Sequence, residues 1–335
     1  MRLSTLGATG VTVTELALGA APLAGLYRPV DPAAARAAVD AAWDAGVRCF
    51  DTAPHYGLGL SERRLGAALA GRPRDRYTLS TKVGRLLRPL PPPHRGDDPA
   101  GGFAVPATHE RVWDFSAAGV RRSLTDSLDR LGLDRIDIAY LHDPDDHAGP
   151  AFGEALPELA RLRAEGAVSA IGAGMNQTDM LTRFVRHRGI TVDVVLCAGR
   201  YTLLDQDALR ELLPAAARHG TSVVIGGAFN SGLLADPRPG ATYDYSAAPR
   251  PLLRRALRLK EVCEEHGVPL RAAALQFPLG HPAVSSVLVG ARSAEEVRDA
   301  AAMMARPVPE TLWDRLRAEG LLPPRVPVPP ERAAS

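Results

Sequence analysis

The chain has 335 residues, 46% of them hydrophobic and 23% charged, with a formal net charge of +2. That length accommodates two average domains or one large α/β barrel, and a chain of this size can bury a core without covalent staples. Basic residues are spread along the sequence, which argues against a nucleic-acid partner, and no run reaches the roughly 18 apolar residues of a membrane span.

The first segment, residues 2–14, alternates apolar and polar positions around Gly7 and Gly10, the pattern of a small β-hairpin. It lies in "MRLSTLGATGVTVTELALGA", which lacks the long apolar stretch of a signal peptide. Cys49, Cys197 and Cys263 are far apart and show no C-x-x-C spacing. Free thiols in a reducing, cytoplasmic setting are therefore expected.

Strand-like and helix-like segments then take turns. The strand-like runs are "ELALG" (15–19), "VRCFD" (47–51), "YTLSTK" (77–82), "IDIAYLH" (136–142), "AVSAIGAG" (167–174), "VDVVLC" (192–197), "TSVVIGG" (221–227) and "SSVLVG" (285–290). Their nearly continuous apolar content suits parallel strands covered on both faces. Between them, Asp31-Pro32, Ser116 and Ser293 read as helix starts, the last with Glu296 in a capping-box position. Val120, Leu124, Leu128 and Leu131 form one apolar helix face. Eight such alternations predict a (β/α)8 TIM barrel, one domain over residues 1–335 with an extended tail from about 322. A doubly wound sheet would show G-x-G-x-x-G after its first strand; here that turn reads "LGAAPLAG".

Two stretches interrupt the alternation. Residues 85–115 carry a Pro run, a Gly pair and the aromatic groups Phe103, His109, Trp113 and Phe115, fitting either a flap over a pocket or, for 89–102, a surface insert. Residues 229–249 follow the seventh strand and are placed to fold over a ligand.

In a barrel, functional groups gather at the C-terminal ends of strands. The second strand ends at Asp51, the third at Lys82 and the fourth at His142, with Tyr56 one short turn beyond the second. Singly, Asp51 reads as a turn cap and Lys82 as a surface lysine. His142 with Asp143, Asp145, Asp146 and His147 reads as a solvated loop, and no metal is expected. Together the four form a set for moving a phenol proton. A lysine ammonium stabilises phenolate and lowers its pKa from about 10, a carboxylate holds the lysine, and a neutral imidazole orients an oxygen.

"FDTAPHYG", "STKVG", "DSLDRLGLDRIDIAYLHDPD", "AIGAGMN" and "VLVGARSAEEV" resemble the aldo-keto reductases over about residues 2–305. The resemblance implies a TIM barrel that uses NAD(P) without a Rossmann turn. It also implies that Tyr56 is the general acid/base, tuned by Lys82 and Asp51, with His142 orienting the substrate oxygen. For the cofactor it implies Asn176 at the nicotinamide carboxamide, with Met175 where Ser is common. Gly226, Gly227 and Phe229 stand where the family has a stacking Tyr, and Gly290, Arg292 and Glu296 lie at the last strand and helix. "LCAGRYTLLDQ", "GGAFNSGLL" and "APHYGLGLSERRLG" look like the aldose 1-dehydrogenases, including L-fucose and D-threo-aldose dehydrogenases; a relative of the same look oxidises pyridoxal. The implied reaction takes a cyclic hemiacetal to a lactone. Other readings are reduction of small aldehydes or ketones with NADPH, or a regulatory or channel-associated barrel subunit. His55, Trp113, Arg200 and Asn230 are the candidate substrate contacts. Glu295 and Glu296 at the last helix start would repel a 2′-phosphate, so NAD is expected, with Arg292 allowing some NADP.

Overall fold

A computed structural model describes residues 1–93, 96–98, 101–244 and 246–331. Eight strands close into a barrel: β1 (Leu16–Gly19), β2 (Cys49–Asp51), β3 (Thr78–Val83), β4 (Ile138–His142), β5 (Ala170–Met175), β6 (Val194–Ala198), β7 (Ser222–Gly226) and β8 (Val284–Gly290). Neighbours pair in parallel in chain order, and β8 closes onto β1. These are the eight runs expected from sequence, with ends shifted by up to three residues.

Side chains alternate across each strand, so each contributes to two cores. One row packs outward against the helices and includes Leu18, Phe50, Leu79, Leu141, Ile171 and Val195. The other fills the barrel and includes Ala17, Cys49, Ile138, Tyr140, Val194 and Val224. Leu6, Val11 and Val13 join this inner cluster from the hairpin Leu3–Thr5/Thr12–Thr14. The hairpin thereby plugs the N-terminal end. Only the opposite mouth is left for function.

The register decides what lines that mouth. Asp51 is opposite Ser80, two residues before Lys82, and Lys82 is opposite Tyr140, two residues before His142. Period-two alternation places Asp51, Lys82 and His142 at the top of the inward rows of β2, β3 and β4. Across the mouth the corresponding residues are Gly174, Ala198 and Gly226, which leave space. All three cysteines are buried and free, as expected.

The helix starts follow the sequence signals. Asp31 Oδ1 accepts from Ala33 N at 2.8 Å, Ser116 Oγ from Gly119 N at 3.0 Å and Ser293 Oγ from Glu296 N at 3.2 Å. The capping box differs in one detail: the Glu296 carboxylate accepts the amide of Arg292, at 2.7 Å, in place of that of Ser293. Leu128 is only partly buried on its otherwise buried face.

Residues 85–115 form a folded flap. Arg85–Pro89 pairs antiparallel with His109–Trp113, and Asp97–Asp98 with Phe103–Pro106. Residues 94, 95, 99 and 100 of this stretch lie outside the described residues. Phe103 and Val105 share a small core with Ala24 and Leu58, and Tyr27 N donates to Gly102 O at 2.9 Å. The flap is thus fastened to the loop after β1. The described part of the tail, 322–331, turns at 324–325 and is packed: Val326 is buried, and the backbone of Val328 lies where a side chain at Gly280 would have to go.

Candidate active site

Asp51 and Lys82 form a buried pair, with Lys82 Nζ donating to Asp51 Oδ2 at 2.6 Å and to Thr52 O at 2.9 Å. Ser80 Oγ donates to the other carboxylate oxygen at 2.7 Å. Both oxygens and the ammonium are therefore satisfied without water, the condition a buried charge pair must meet. Lys82 Nζ also lies 4.8 Å from the centre of the Tyr56 ring. The His142 ring stands 5.8 Å from the Tyr56 ring and nearly perpendicular to it. Tyr56, Lys82 and His142 line one cavity of about 440 Å³ with His55, Phe103 and Asp143. The four residues expected from sequence are brought together.

The electrostatics correct one expectation. Burial pushes the Tyr56 phenol up to about 12; Lys82 pulls in the opposite direction, and the Asp51 charge adds to the rise. Lys82 does act to lower the pKa, but burial outweighs that pull. Burial would lower the Lys82 pKa, but Asp51 and Tyr56 together raise it above its ordinary value. The ammonium therefore stays charged. His142 is held well below the ordinary histidine range by burial and then by Arg85 and Lys82, so it is a neutral imidazole. Burial, Arg85 and Arg111 hold His55 at about 2.

These two histidines link stability to acid. Below about pH 6.5 the unfolded chain protonates both while the native state does not, so stability is complete above that pH and is lost as pH falls. The slope for two such groups approaches about 2.7 kcal/mol per pH unit. Urea midpoints are expected to drop between about pH 7.5 and about pH 5.5; a midpoint that does not move would contradict the buried neutral state of both rings.

A second cavity, of about 590 Å³, opens beside the first and shares Leu26, Tyr27, Asn176 and Ala198 with it. Gly227, Phe229, Gly290, Arg292 and Glu296 line it, as the family resemblance implies for a cofactor. Gly227 has φ of 63°, and a Cβ there would crowd the Gly199 backbone. Gly226 is in neither lining; a Cβ on it would make ordinary contact with Leu196 and Ala198 of the catalytic cavity. The residues present fit a nicotinamide dinucleotide: a hollow edged by glycine backbone that adjoins the cavity lined by Tyr56, with the buried Asn230 Oδ1 lacking a hydrogen-bond partner among the described residues.

The substrate candidates separate. His55 lines the catalytic cavity. Asn230 lines the second cavity instead, its amide donating to Gly199 O at 3.2 Å. Arg200 lies in a side recess, where Asp244 at 2.8 Å and Asp205 at 3.5 Å occupy its guanidinium. Trp113 is outside the cavity: its ring stacks on Phe115 and covers the Arg85 guanidinium at 4.2 Å. Sequence reasoning missed Leu26, Tyr27 and Arg85, and took Asp143 for part of a solvated loop, whereas it lines the catalytic cavity. Asp143 was visible as the residue after a strand-end histidine; Leu26 and Tyr27 carry no comparable signal. Among the described residues, no group of three or more His, Cys, Asp or Glu is placed to hold a metal ion. No helix among them is long and apolar enough to cross a membrane.

Fold and site together define a parallel barrel whose mouth holds a tyrosine, a buried lysine–aspartate pair and a histidine beside a second, larger hollow. The model of the Aldo/keto reductase family matches residues 15–319, and the chain belongs to that family. It is 47% identical to a D-threo-aldose 1-dehydrogenase of Pseudomonas sp over 320 residues, covering 94% of this chain and 97% of that protein. It is 43% identical to a pyridoxal 4-dehydrogenase of Microbacterium luteolum, covering 95% and 97%. Among solved structures, an aldo-keto reductase from Bacillus halodurans in its holo form superposes with a TM-score of 0.73 at 28% identity, covering 97% of this chain and 98% of the other.

Proposed function

We propose that this protein is an NAD-dependent aldose 1-dehydrogenase that oxidises C1 of a cyclic hemiacetal to a lactone. The observation that carries the proposal is that Tyr56, Lys82 and His142 line one cavity, which shares Leu26, Tyr27, Asn176 and Ala198 with a neighbouring dinucleotide-sized hollow. The identity to a D-threo-aldose 1-dehydrogenase supports the substrate class. The nicotinamide, when bound, supplies the hydride acceptor. Tyr56 first releases its own proton to solvent; as the phenolate, stabilised by the Lys82 ammonium, it then takes the proton of the anomeric hydroxyl and returns to the phenol. Asp51 fixes Lys82, and His142, neutral, orients the reacting oxygen. Asn176, at the seam of both cavities, would hold the carboxamide. The three buried free thiols support a cytosolic setting.

The preference for NAD rests on charge. Arg271 is paired with Asp299 at 2.9 Å and Arg292 with Glu296 at 3.6 Å, and all four line the hollow. Arg28 also reaches Glu296, at 3.6 Å. A 2′-phosphate would have to displace a carboxylate from one of these cations. Glu295, expected to contribute, is exposed and outside the lining; its charge favours the helix N-terminus instead. Initial rates at matched low concentrations are expected to favour NAD by about two- to fivefold, the equivalent of one lost, partly exposed pairing. Faster rates with NADP would reject this assignment.

The test of function is NAD reduction with L-fucose, D-arabinose, L-galactose and pyridoxal. An aldose is expected to give the highest kcat/KM. Pyridoxal as the best substrate would move the assignment to the activity named for the second relative.

A further inference from the structure

Arg85 is a largely covered cation that the set of Asp51, Tyr56, Lys82 and His142 does not use. Its side chain is 12% exposed, roofed by Trp113, and bridges two walls of the catalytic cavity. One terminal nitrogen lies 3.1 Å from His55 Nδ1, and the other binds Asp143 Oδ2. We propose that Arg85 is a positioning residue that makes His55 and Asp143 a matched pair for two substrate hydroxyls, His55 Nε2–H donating and the Asp143 carboxylate accepting. This rests on the polyhydroxylated substrate proposed above.

The assignment follows from donor arithmetic. A guanidinium only donates, so His55 Nδ1 must accept and the ring proton must sit on Nε2. Arg111 strengthens the arrangement by donating to His55 O at 2.9 Å while it pairs with Asp98 of the flap. Asp143 holds a left-handed φ of 43°, which a non-glycine residue adopts at a cost, and its amide donates to Gly174 O at 3.1 Å. Its Oδ1 has no hydrogen-bond partner among the described residues. Asp143 Oδ2 also stands 3.6 Å from His142 Nε2, beside the reacting oxygen's site. The His55 ring is 6.0 Å from Tyr56 and 5.6 Å from His142, a separation that a single sugar ring spans. Oxidising one hydroxyl needs only the tetrad. A fixed donor and a fixed acceptor beside it serve the neighbouring hydroxyls, and leaving them unpaired is what rejects an analogue lacking those groups.

Two measurements test this. The first is the imidazole ¹⁵N spectrum, with His55 assigned by its loss in His55→Gln. The Nε2–H tautomer is expected from about pH 5 to about pH 9; an Nδ1–H tautomer overturns the proposal whatever the activity. The second is discrimination between L-fucose and its 2-deoxy and 3-deoxy analogues. The wild-type protein is expected to prefer L-fucose over at least one analogue by about 30-fold in kcat/KM, and Arg85→Met to bring that ratio within about threefold, mainly through KM. His55→Phe is expected to behave like Arg85→Met, and His55→Gln, which keeps an N–H near the same point, to recover most of the ratio. If Arg85→Met does not fold, Arg85→Lys carries the same comparison, since it keeps the charge without the two-pronged reach. Wild-type discrimination that survives in the Arg85 variant overturns this inference alone. A wild-type protein that oxidises no aldose overturns the function on which it rests as well.

Discussion

Replacing Tyr56 by Phe is expected to lower kcat for aldose oxidation by about 10³- to 10⁴-fold, at the upper end of what one acid/base group contributes. The substitution removes a single oxygen. The ring keeps its contacts with Phe103 and His142, and the Lys82–Asp51 pair is left intact. NADH binding and the urea midpoint should therefore match wild type. Loss of the hydroxyl leaves His142 as a neutral imidazole and Lys82 as a charged ammonium tied to Asp51, and neither can take the hydroxyl proton at neutral pH. Steady-state rates together with NADH fluorescence titration check this, and retained turnover would remove Tyr56 from the proton path.

Lys82→Met should cost both activity and stability. Without the ammonium, the Asp51 carboxylate stays buried, with Ser80 as its remaining side-chain partner. Breaking a buried pair in this way destabilises by about 3–5 kcal/mol, because the surviving charge has lost its compensation. The phenolate formed on Tyr56 also loses its neighbouring cation, so kcat should fall by about 10²-fold or more. The double variant Asp51→Asn with Lys82→Met separates the two effects. Removing both charges should restore most of the stability without restoring turnover. Urea unfolding with unchanged m-values is the check. If the single variant is as stable as wild type, the pair is not buried as described.

The barrel was legible because strands covered on both faces read as short apolar runs, and because Asp31, Ser116 and Ser293 marked helix starts. The tetrad was legible for a related reason. Register ties strand ends to one mouth, so Asp51, Lys82 and His142 could be compared without knowing their distances. What escaped depends on tertiary context. Trp113 looked like a pocket wall, yet the pairing of His109–Trp113 with Arg85–Pro89 turns its ring onto Arg85. The direction of the Tyr56 pKa depends on burial outweighing the pull of Lys82, and that balance is not written in residue order. Arg200 and Asn230 were plausible polar contacts, but Asp244 takes the first and the second hollow the other. The tail was read as merely extended, although the Val-Pro-Val alternation around Val326 already hinted at one packed face.

The most direct test of the whole reading is hydride transfer from an aldose carrying deuterium at C1. With wild-type protein and NAD, one deuterium per lactone should appear at C4 of the reduced nicotinamide. Unlabelled NADH, or no NADH with any aldose, would contradict oxidation at the anomeric carbon.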